Sequence, residues 1–295
     1  MSGGRLAMVD PSMILQGVIN GLVLSGVYLL ISIGLNLLYG VMGIVNFAHG
    51  EFLMIGMYIL YWFSVWMKGI SPYLFILGPV AGVLVLAILT YLLMIGPTLD
   101  RPHLTQLLIT ASLSVVLQNL ALLLWTSDYR GIPIEITVIN IGPITLTFER
   151  IICIVAAYLI SIACYFVLQK TKFGYQIRAV AQDKEAAMLV GINTRKIFIV
   201  TFALSGVLVG FASALFAPIY YVHPQVGITF GLVAYIIIVL GGLGSFEGAV
   251  LGSIIVGVTQ GVIGVITSLE LAMVLVFSVF IFVVFVKPQG IFGGR

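Results

Sequence analysis

The stretch GVMGIVNFAHGE, residues 40–51, places glycines and three polar side chains inside an otherwise hydrophobic part of the chain. Asn46, His49 and Glu51 are costly near the middle of a bilayer, about 2.5–3.5 kcal/mol for an ionised acid at a helix centre. Irregular backbone is tolerated at that depth only where protein or a water-filled cavity covers it. The stretch therefore predicts a broken helix rather than a plain membrane span.

A second interruption, GGLGSFEG at residues 241–248, lies near the other end of the chain. Its glycines would each cost a helix about 1 kcal/mol relative to alanine, so we expect a non-helical turn with Glu247 inside it. Paired broken segments in the two halves of a membrane protein indicate a transport path. The predicted path or its broken segments comprise Asn46, His49, Gly50, Glu51, Gly241, Gly242, Gly244 and Glu247. For the polar members, the alternative role is to form hydrogen bonds that stabilise the broken backbone.

The composition defines the class of protein. Of 295 residues, 61% are hydrophobic and only 8% are charged, with a mean hydropathy of +1.24, whereas about 25% is the usual charged fraction. We therefore predict an all-α polytopic membrane protein with a single transmembrane domain over residues 1–295. The sequence has no basic run with interleaved aromatics, which argues against nucleic-acid binding, and no metal-ligand spacing. Cys153 and Cys164 lie on one predicted helix, too far apart for a disulfide, and are interpreted as packing residues.

The hydrophobic segments predict eight or nine transmembrane helices, with glycine-broken segments near 40–51 and 241–248. A span needs about 20 apolar residues, and the segment after Arg5 is too long for a signal peptide. A shorter apolar piece, 229–241, precedes the second break. Segments of suitable length run near 14–38, 51–67, 72–95, 104–126, 150–169, 197–218, 248–267 and 270–286.

The loops predict the orientation of the chain in the membrane. The segment 170–196 holds nearly half of the Lys and Arg residues, which indicates a cytoplasmic loop. Lys287 and Arg295 place the C-terminus on the same side. Four predicted crossings lie between the 170–196 loop and the C-terminus, which favours nine crossings in all and an external N-terminus. The external loop, 127–149, has two β-prone stretches separated by Gly142-Pro143 and predicts a hairpin. This loop either docks an external partner or simply caps the bundle.

The cytoplasmic loop contains a short predicted helix. Asp183 suits the N-cap position and Gly191 suits the position after the last turn. Ala186, Met188 and Leu189 give the helix a small apolar surface that fits a groove in a soluble partner.

These residues carry a family resemblance. EAA at 185–187, with Gly191 four residues later, resembles the EAA–G motif of ABC importer permeases, although the proline-containing end of that pattern is missing. Across nearly the whole chain, the sequence resembles the H-type permease subunit of branched-chain amino acid importers. The stretches that carry the resemblance are YGVMGIVNFAHGE at 39–51, EAAMLVGIN at 185–193, VLGGLGS at 239–245 and KPQGIFG at 287–293.

The resemblance implies one subunit of a heteromeric importer in the bacterial cytoplasmic (inner) membrane. Its partners would be an M-type second permease, two ATPase subunits at the cytoplasmic face, and a periplasmic or extracellular solute-binding protein. The implied ATPase coupling loop comprises Asp183, Glu185, Ala186, Ala187, Met188, Leu189 and Gly191. No lysine follows a glycine, so the chain lacks a phosphate-binding loop. We therefore expect no cofactor or enzymatic activity on this chain, and ATP and Mg on the partner ATPases.

Three other functions fit parts of the pattern. The same class of importer could carry urea or short-chain amides instead of a hydrophobic amino acid. An ion-coupled secondary transporter would need a buried acid, with Glu51 or Glu247 as candidates, but the basic loop with its EAA element argues against it. An intramembrane enzyme would need a Ser–His, paired-Asp or His-Glu-x-x-His constellation, and the sequence contains none in its spans.

Overall fold

The computed structural model describes residues 10–134, 137–142 and 144–292. The predictions for Arg5, Pro143, Gly293 and Arg295 lie outside these residues. The elements are α1 Pro11–Met42, α2 His49–Trp66, α3 Leu77–Thr90, α4 His103–Trp125, β1 Val138–Ile141, β2 Ile144–Thr147, α5 Phe148–Lys170, α6 Lys172–Gln182, α7 Lys184–Leu189, α8 Thr194–Phe216, α9 Val226–Gly241, α10 Phe246–Ile266 and α11 Leu269–Val286. Short 3₁₀ and π turns, Pro72–Phe75 and Tyr91–Thr98, extend α3 at both ends.

The helices confirm an all-α polytopic membrane protein. Seven helices of the described chain are long and apolar enough to cross a membrane. α2 is a little more polar, and α9 has only 16 residues. Each predicted span, including the short 229–241 piece, corresponds to one of these nine helices. α6 was not predicted, although Thr171 is a capping residue and Ile177 and Val180 form a buried face three residues apart.

α1 lies at the centre of the bundle and packs antiparallel to α10. Gly17 and Gly21 of α1 face Gly261 and Gly257 of α10, and a Cβ on Gly21 would lie 2.5 Å from the Cα of Val258. Glycines four residues apart let two backbones approach this closely. The small-residue spacing therefore reflects close packing within the chain.

The two ends of the bundle are built from different loops. At one end, the Gln16 side chain accepts from the N–H of Thr145 at 3.0 Å and donates to its carbonyl at 3.1 Å, which fixes β2 to α1. At the other end, the N–H groups of Ile291 and Phe292 donate to the last carbonyls of α9, which otherwise lack helical partners. The C-terminal stretch and the 170–196 loop thus lie at the same end, opposite the hairpin.

The predicted hairpin is present in the 127–149 loop. β1 and β2 pair antiparallel, with Ile141 opposite Ile144, but β1 begins only at Val138. Nearby, Arg130 exchanges two backbone hydrogen bonds with Val222, at 2.9 and 2.8 Å. Its guanidinium also donates to the carbonyl of Trp125 at 2.7 Å. The loop is therefore fixed to the bundle as a structured cap.

Candidate functional site

The first broken segment returns into the bundle. α1 ends at Met42, Gly43 adopts φ 67°, and α2 begins at His49. His49 Nε2 lies 3.1 Å from the carbonyl oxygen of Ile31, eleven residues before the end of α1, which is about 16 Å of helical rise. Residues 43–48 therefore run back alongside the last three turns of α1. The break is shorter than predicted, because residues 40–42 belong to α1, and Gly50 and Glu51 belong to the first turn of α2.

Two neighbouring helices hold the backbone of this break. The Tyr235 hydroxyl of α9 donates to the carbonyl of Asn46, and the Thr110 hydroxyl of α4 donates to that of Val45 at 3.3 Å. Asn46 also accepts from the N–H of Ala48 through its side-chain oxygen, at 3.1 Å. Asn46 and His49 are both fully buried. Asn46 thus stabilises the unwound backbone itself, whereas His49 fixes the start of α2 to the middle of helix α1.

Glu51 lies between α4 and α9 and is only 1% exposed. Its Oε1 accepts a hydrogen bond from the Ser114 hydroxyl of α4 at 3.1 Å. Its Oε2 has no hydrogen-bond partner within the described part of the chain. A buried acid with a free oxygen at membrane depth is a candidate functional group.

Gly50 makes the closest contact between α2 and α9. A Cβ on Gly50 would lie 2.1 Å from the carbonyl oxygen of Gly227, and one on Gly227 would lie 2.3 Å from Glu51 Oε2. Gly50 is therefore a packing residue of a helix crossing rather than part of the break, and it sets the distance between Glu51 and α9.

The second break is a tight turn between α9 and α10. Gly242 and Gly244 adopt φ 106° and 83°, values that residues with a side chain rarely adopt, so the predicted non-helical turn is confirmed for both. Gly241 is helical instead, and a Cβ on it would lie 2.2 Å from the carbonyl oxygen of Gly248. Close packing, not chain reversal, requires glycine there.

Glu247 does not lie in the turn as predicted. It belongs to the first turn of α10, where it is exposed, because Ser245 caps this helix by accepting from the N–H of Gly248 at 3.0 Å. Glu247 lines a cavity of about 190 Å³ together with Asn36, Gly244, Leu168 and Arg178. This cavity connects the second break to α6.

Asn36 of α1 was missed by the sequence analysis. It is buried, its amide nitrogen donates to the carbonyl of Ser245, and its amide oxygen accepts from the N–H of Gly244, both at 2.6 Å. One side chain thus satisfies both a donor and an acceptor of the turn. In the sequence, its only signal is an asparagine in an apolar helix, one turn before Gly40, which could have indicated a polar contact.

Asn36→Ala is expected to lower the stability of the protein by about 1–3 kcal/mol, because it removes both hydrogen bonds from the turn. The measurement is the thermal unfolding midpoint of the purified protein in detergent. Asn140→Ala, in the exposed hairpin strand, is the matched control. Equal midpoints for the two variants would contradict a role for Asn36 in holding the second break.

The short helix α7 matches its predicted capping. Asp183 Oδ1 accepts from the N–H groups of Glu185 and Ala186 at 2.9 and 3.0 Å. Gly191 adopts φ 86° and donates to the carbonyl of Met188 at 3.0 Å. Leu189 is 89% exposed and Met188 is also exposed, whereas Ala187 is buried against the bundle. α7 therefore exposes the apolar side chains of Met188 and Leu189, although it is not one of the long apolar helices.

Two broken segments in a bundle of apolar helices, with a capped helix outside them, are the arrangement expected of a membrane transport protein. The chain belongs to the family described as branched-chain amino acid transport system, permease component, whose model matches residues 17–284. This family consists of permease subunits of ABC transporters, so the chain is a transport subunit rather than an enzyme. The predicted family is confirmed.

Three curated relatives are similar over most of their length. The chain is 32% identical to the high-affinity branched-chain amino acid permease LivH of Salmonella typhimurium, over 95% of both chains. It is 29% identical to the permease BraD of Pseudomonas aeruginosa, again over 95% of both. A probable LivH of Methanocaldococcus jannaschii is 28% identical over 86% of this chain and 82% of its own. No solved structure matches the chain.

Proposed function

We propose that this permease subunit conducts branched-chain or similar small hydrophobic amino acids into the cell by alternating access, driven by ATP hydrolysis on partner subunits. The observation that carries the substrate class is the similarity, over 95% of the chain, to permeases named for high-affinity branched-chain amino acid transport. The proposed location is the bacterial cytoplasmic membrane, because the relatives in Salmonella typhimurium and Pseudomonas aeruginosa are bacterial transport permeases by name.

The proposed partners follow from the two ends of the bundle. Two ATPases bind at the α7 end, where Met188 and Leu189 offer exposed apolar side chains next to charged neighbours. A solute-binding protein docks at the opposite end, on the hairpin cap. An M-type permease completes the membrane part of the complex.

The structure suggests a route from ATP hydrolysis to the broken segments. Closure of the ATPases displaces α7, and α6 lies between α7 and the second break. Arg178 of α6 donates to the carbonyl of Leu168 and lines the cavity that Asn36 and Gly244 share. A rigid-body shift of α6 therefore reaches the turn between α9 and α10, and rocking of these helices opens the path alternately to each side.

Tracer uptake by the reconstituted complex tests the substrate class. Proteoliposomes that contain this chain, its co-purifying partners and the solute-binding protein are supplied with ATP inside and with radiolabelled leucine or urea outside. We expect ATP-dependent accumulation of leucine, competed by isoleucine and valine, and no accumulation of urea. Uptake of urea or of a short-chain amide without uptake of leucine would overturn the proposed substrate.

A further inference from the structure

The cavity that Glu247 lines is bounded by four helices and the second broken segment. Its walls come from the end of α1, the end of α5, the second half of α6 and the start of α10. We call it the α6 cavity. Ala181, Gly244 and Glu247 are exposed, so it is open to the surface of the bundle. It lies at the end that carries the basic 170–196 loop, which is predicted to be cytoplasmic, and a solute in the cytoplasm can therefore reach it.

The walls of the α6 cavity are mainly apolar. Ile33, Val41 and Ile177 are buried beside it, and Leu37 and Phe246 are partly buried. Its volume of about 190 Å³ is several times that of one water molecule, about 30 Å³ in the liquid. Pockets for drug-sized ligands are larger, roughly 300–1,000 Å³. The size and the walls therefore fit a small molecule with an apolar side chain.

Arg178 provides a fixed positive charge at the α6 cavity. One nitrogen of its guanidinium donates to the carbonyl of Leu168, near the end of α5. Its Cζ atom lies 4.7 Å from the ring centre of Tyr175. A guanidinium has five N–H donors, so several remain for a ligand, and its planar fork matches the two oxygens of a carboxylate. Arg178 is therefore already held in place for binding a carboxylate.

Glu247 provides the opposite charge at the same cavity. It lies in the first turn of α10, across the cavity from α6. Among residues 10–134, 137–142 and 144–292, no ion pair joins Glu247 to Arg178. A ligand with only one charge would meet a like charge at one of the two residues. A zwitterion complements both, with its carboxylate on Arg178 and its ammonium on Glu247.

We propose that the α6 cavity binds a free α-amino acid with an apolar side chain from the cytoplasm, and that the bound amino acid inhibits further uptake. This inference rests on the proposed function, which makes such an amino acid the product released at this end. The ligand would join Arg178 of α6 to Glu247 of α10. Because the proposed coupling route requires α6 to shift relative to the second break, a ligand that ties these helices together opposes the shift.

Equilibrium binding of radiolabelled leucine to the assembled complex tests the site. The complex is embedded in phosphatidylglycerol nanodiscs, without ATP and without the solute-binding protein. Arg178→Gln and Glu247→Gln each remove one charged partner of the ligand, so we expect each to raise the Kd for leucine by about tenfold or more. Because Glu247 is exposed, its variant keeps the test valid should Arg178→Gln fail to fold.

The matched controls are changes of the same kind outside the α6 cavity. Glu270→Gln removes an exposed acid from the first turn of α11, and Arg101→Gln removes an exposed base. Both should bind leucine with the Kd of the wild type. Phosphatidylethanolamine carries the same pair of charges in its headgroup, so binding is repeated in nanodiscs that contain this lipid. Loss of leucine binding there would assign the cavity to the lipid headgroup and overturn the proposal.

Uptake into preloaded proteoliposomes tests the inhibition. The lumen, which corresponds to the cytoplasm, contains ATP and either unlabelled leucine or sucrose, and the initial rate of ATP hydrolysis is measured with leucine and the solute-binding protein outside. Each variant is compared with itself after sucrose loading. We expect luminal leucine to slow the wild type and Glu270→Gln, and this inhibition to be lost in Glu247→Gln.

Three further results would overturn the inference: no leucine binding to the complex in nanodiscs, equal binding by the wild type and Glu247→Gln, or equal inhibition of the two by luminal leucine. ATP-dependent uptake of labelled leucine is measured on the same preparations. Normal uptake without binding at the α6 cavity would reject this inference alone. Binding that depends on Glu247, in a complex that does not accumulate leucine, would reject the proposed substrate and leave the binding site standing.

Discussion

Gly50→Ala is expected to abolish transport by separating α2 from α9. The added Cβ would lie 2.1 Å from the carbonyl oxygen of Gly227 and 2.9 Å from the Cα of Gly231. Both are backbone atoms that no rotamer change can move away, so we expect a loss of about 3 kcal/mol or more, at the upper end for overpacked cores. The separation would also move Glu51 away from Gly227 of α9. The measurements are the yield of folded protein in detergent and leucine uptake by the complex.

Gly82→Ala in α3 is the matched control for this prediction. Its Cβ would meet only the side chain of Ile59, with the terminal methyl at 2.4 Å, and a flexible side-chain end can rotate away. Since alanine is favoured over glycine in a helix by about 1 kcal/mol, this variant is expected to fold and transport normally. Normal uptake by Gly50→Ala would show that the α2–α9 crossing is looser than its geometry indicates.

Glu185→Lys is expected to eliminate ATP-dependent uptake while the protein still folds. Glu185 is exposed in the first turn of α7, and its reversal places a positive charge at the positive end of the helix and within the proposed ATPase contact. Because the side chain supports no buried packing, the unfolding midpoint should stay close to that of the wild type. The measurements are leucine uptake, ATP hydrolysis by the reconstituted complex and the unfolding midpoint.

Asp100→Lys supplies the matched control, with the same change of charge in another exposed turn. It lies outside α7, so uptake should be retained. Equal loss in both variants would point to net charge rather than to α7. Full uptake by Glu185→Lys would remove α7 from the coupling route.

The sequence was sufficient to predict the long apolar helices, although not α6, because membrane spans need long apolar segments and polar interruptions among them stand out. It also predicted the turn that contains Gly242 and Gly244 and the two caps of α7. Gly242, Gly244 and Gly191 occupy backbone conformations that favour glycine. Asp183 and Ser245 are residue types that favour the N-cap position of a helix, although only Asp183 was predicted to be a cap. These features are local and depend on a few neighbouring residues.

Features that depend on distant contacts could not be predicted. Nothing near Asn36 in sequence indicates that residues 244 and 245 lie beside it. The return of residues 43–48 into the bundle depends on Tyr235 and Thr110, which belong to two other helices. Gly50 and Gly241 looked like parts of the breaks because glycine in a helix has two explanations, chain reversal and close packing. The contacts with Gly227 and Gly248, which only the structure shows, identify close packing as the explanation for both glycines.

The most direct test of the account is the energy source for uptake. Proteoliposomes with the complete complex are given ATP inside without an ion gradient, or a proton or sodium gradient without ATP, and leucine accumulation is measured in each. The account predicts accumulation with ATP alone and none with either gradient alone. Accumulation driven by a gradient without ATP would contradict it and would favour an ion-coupled transporter.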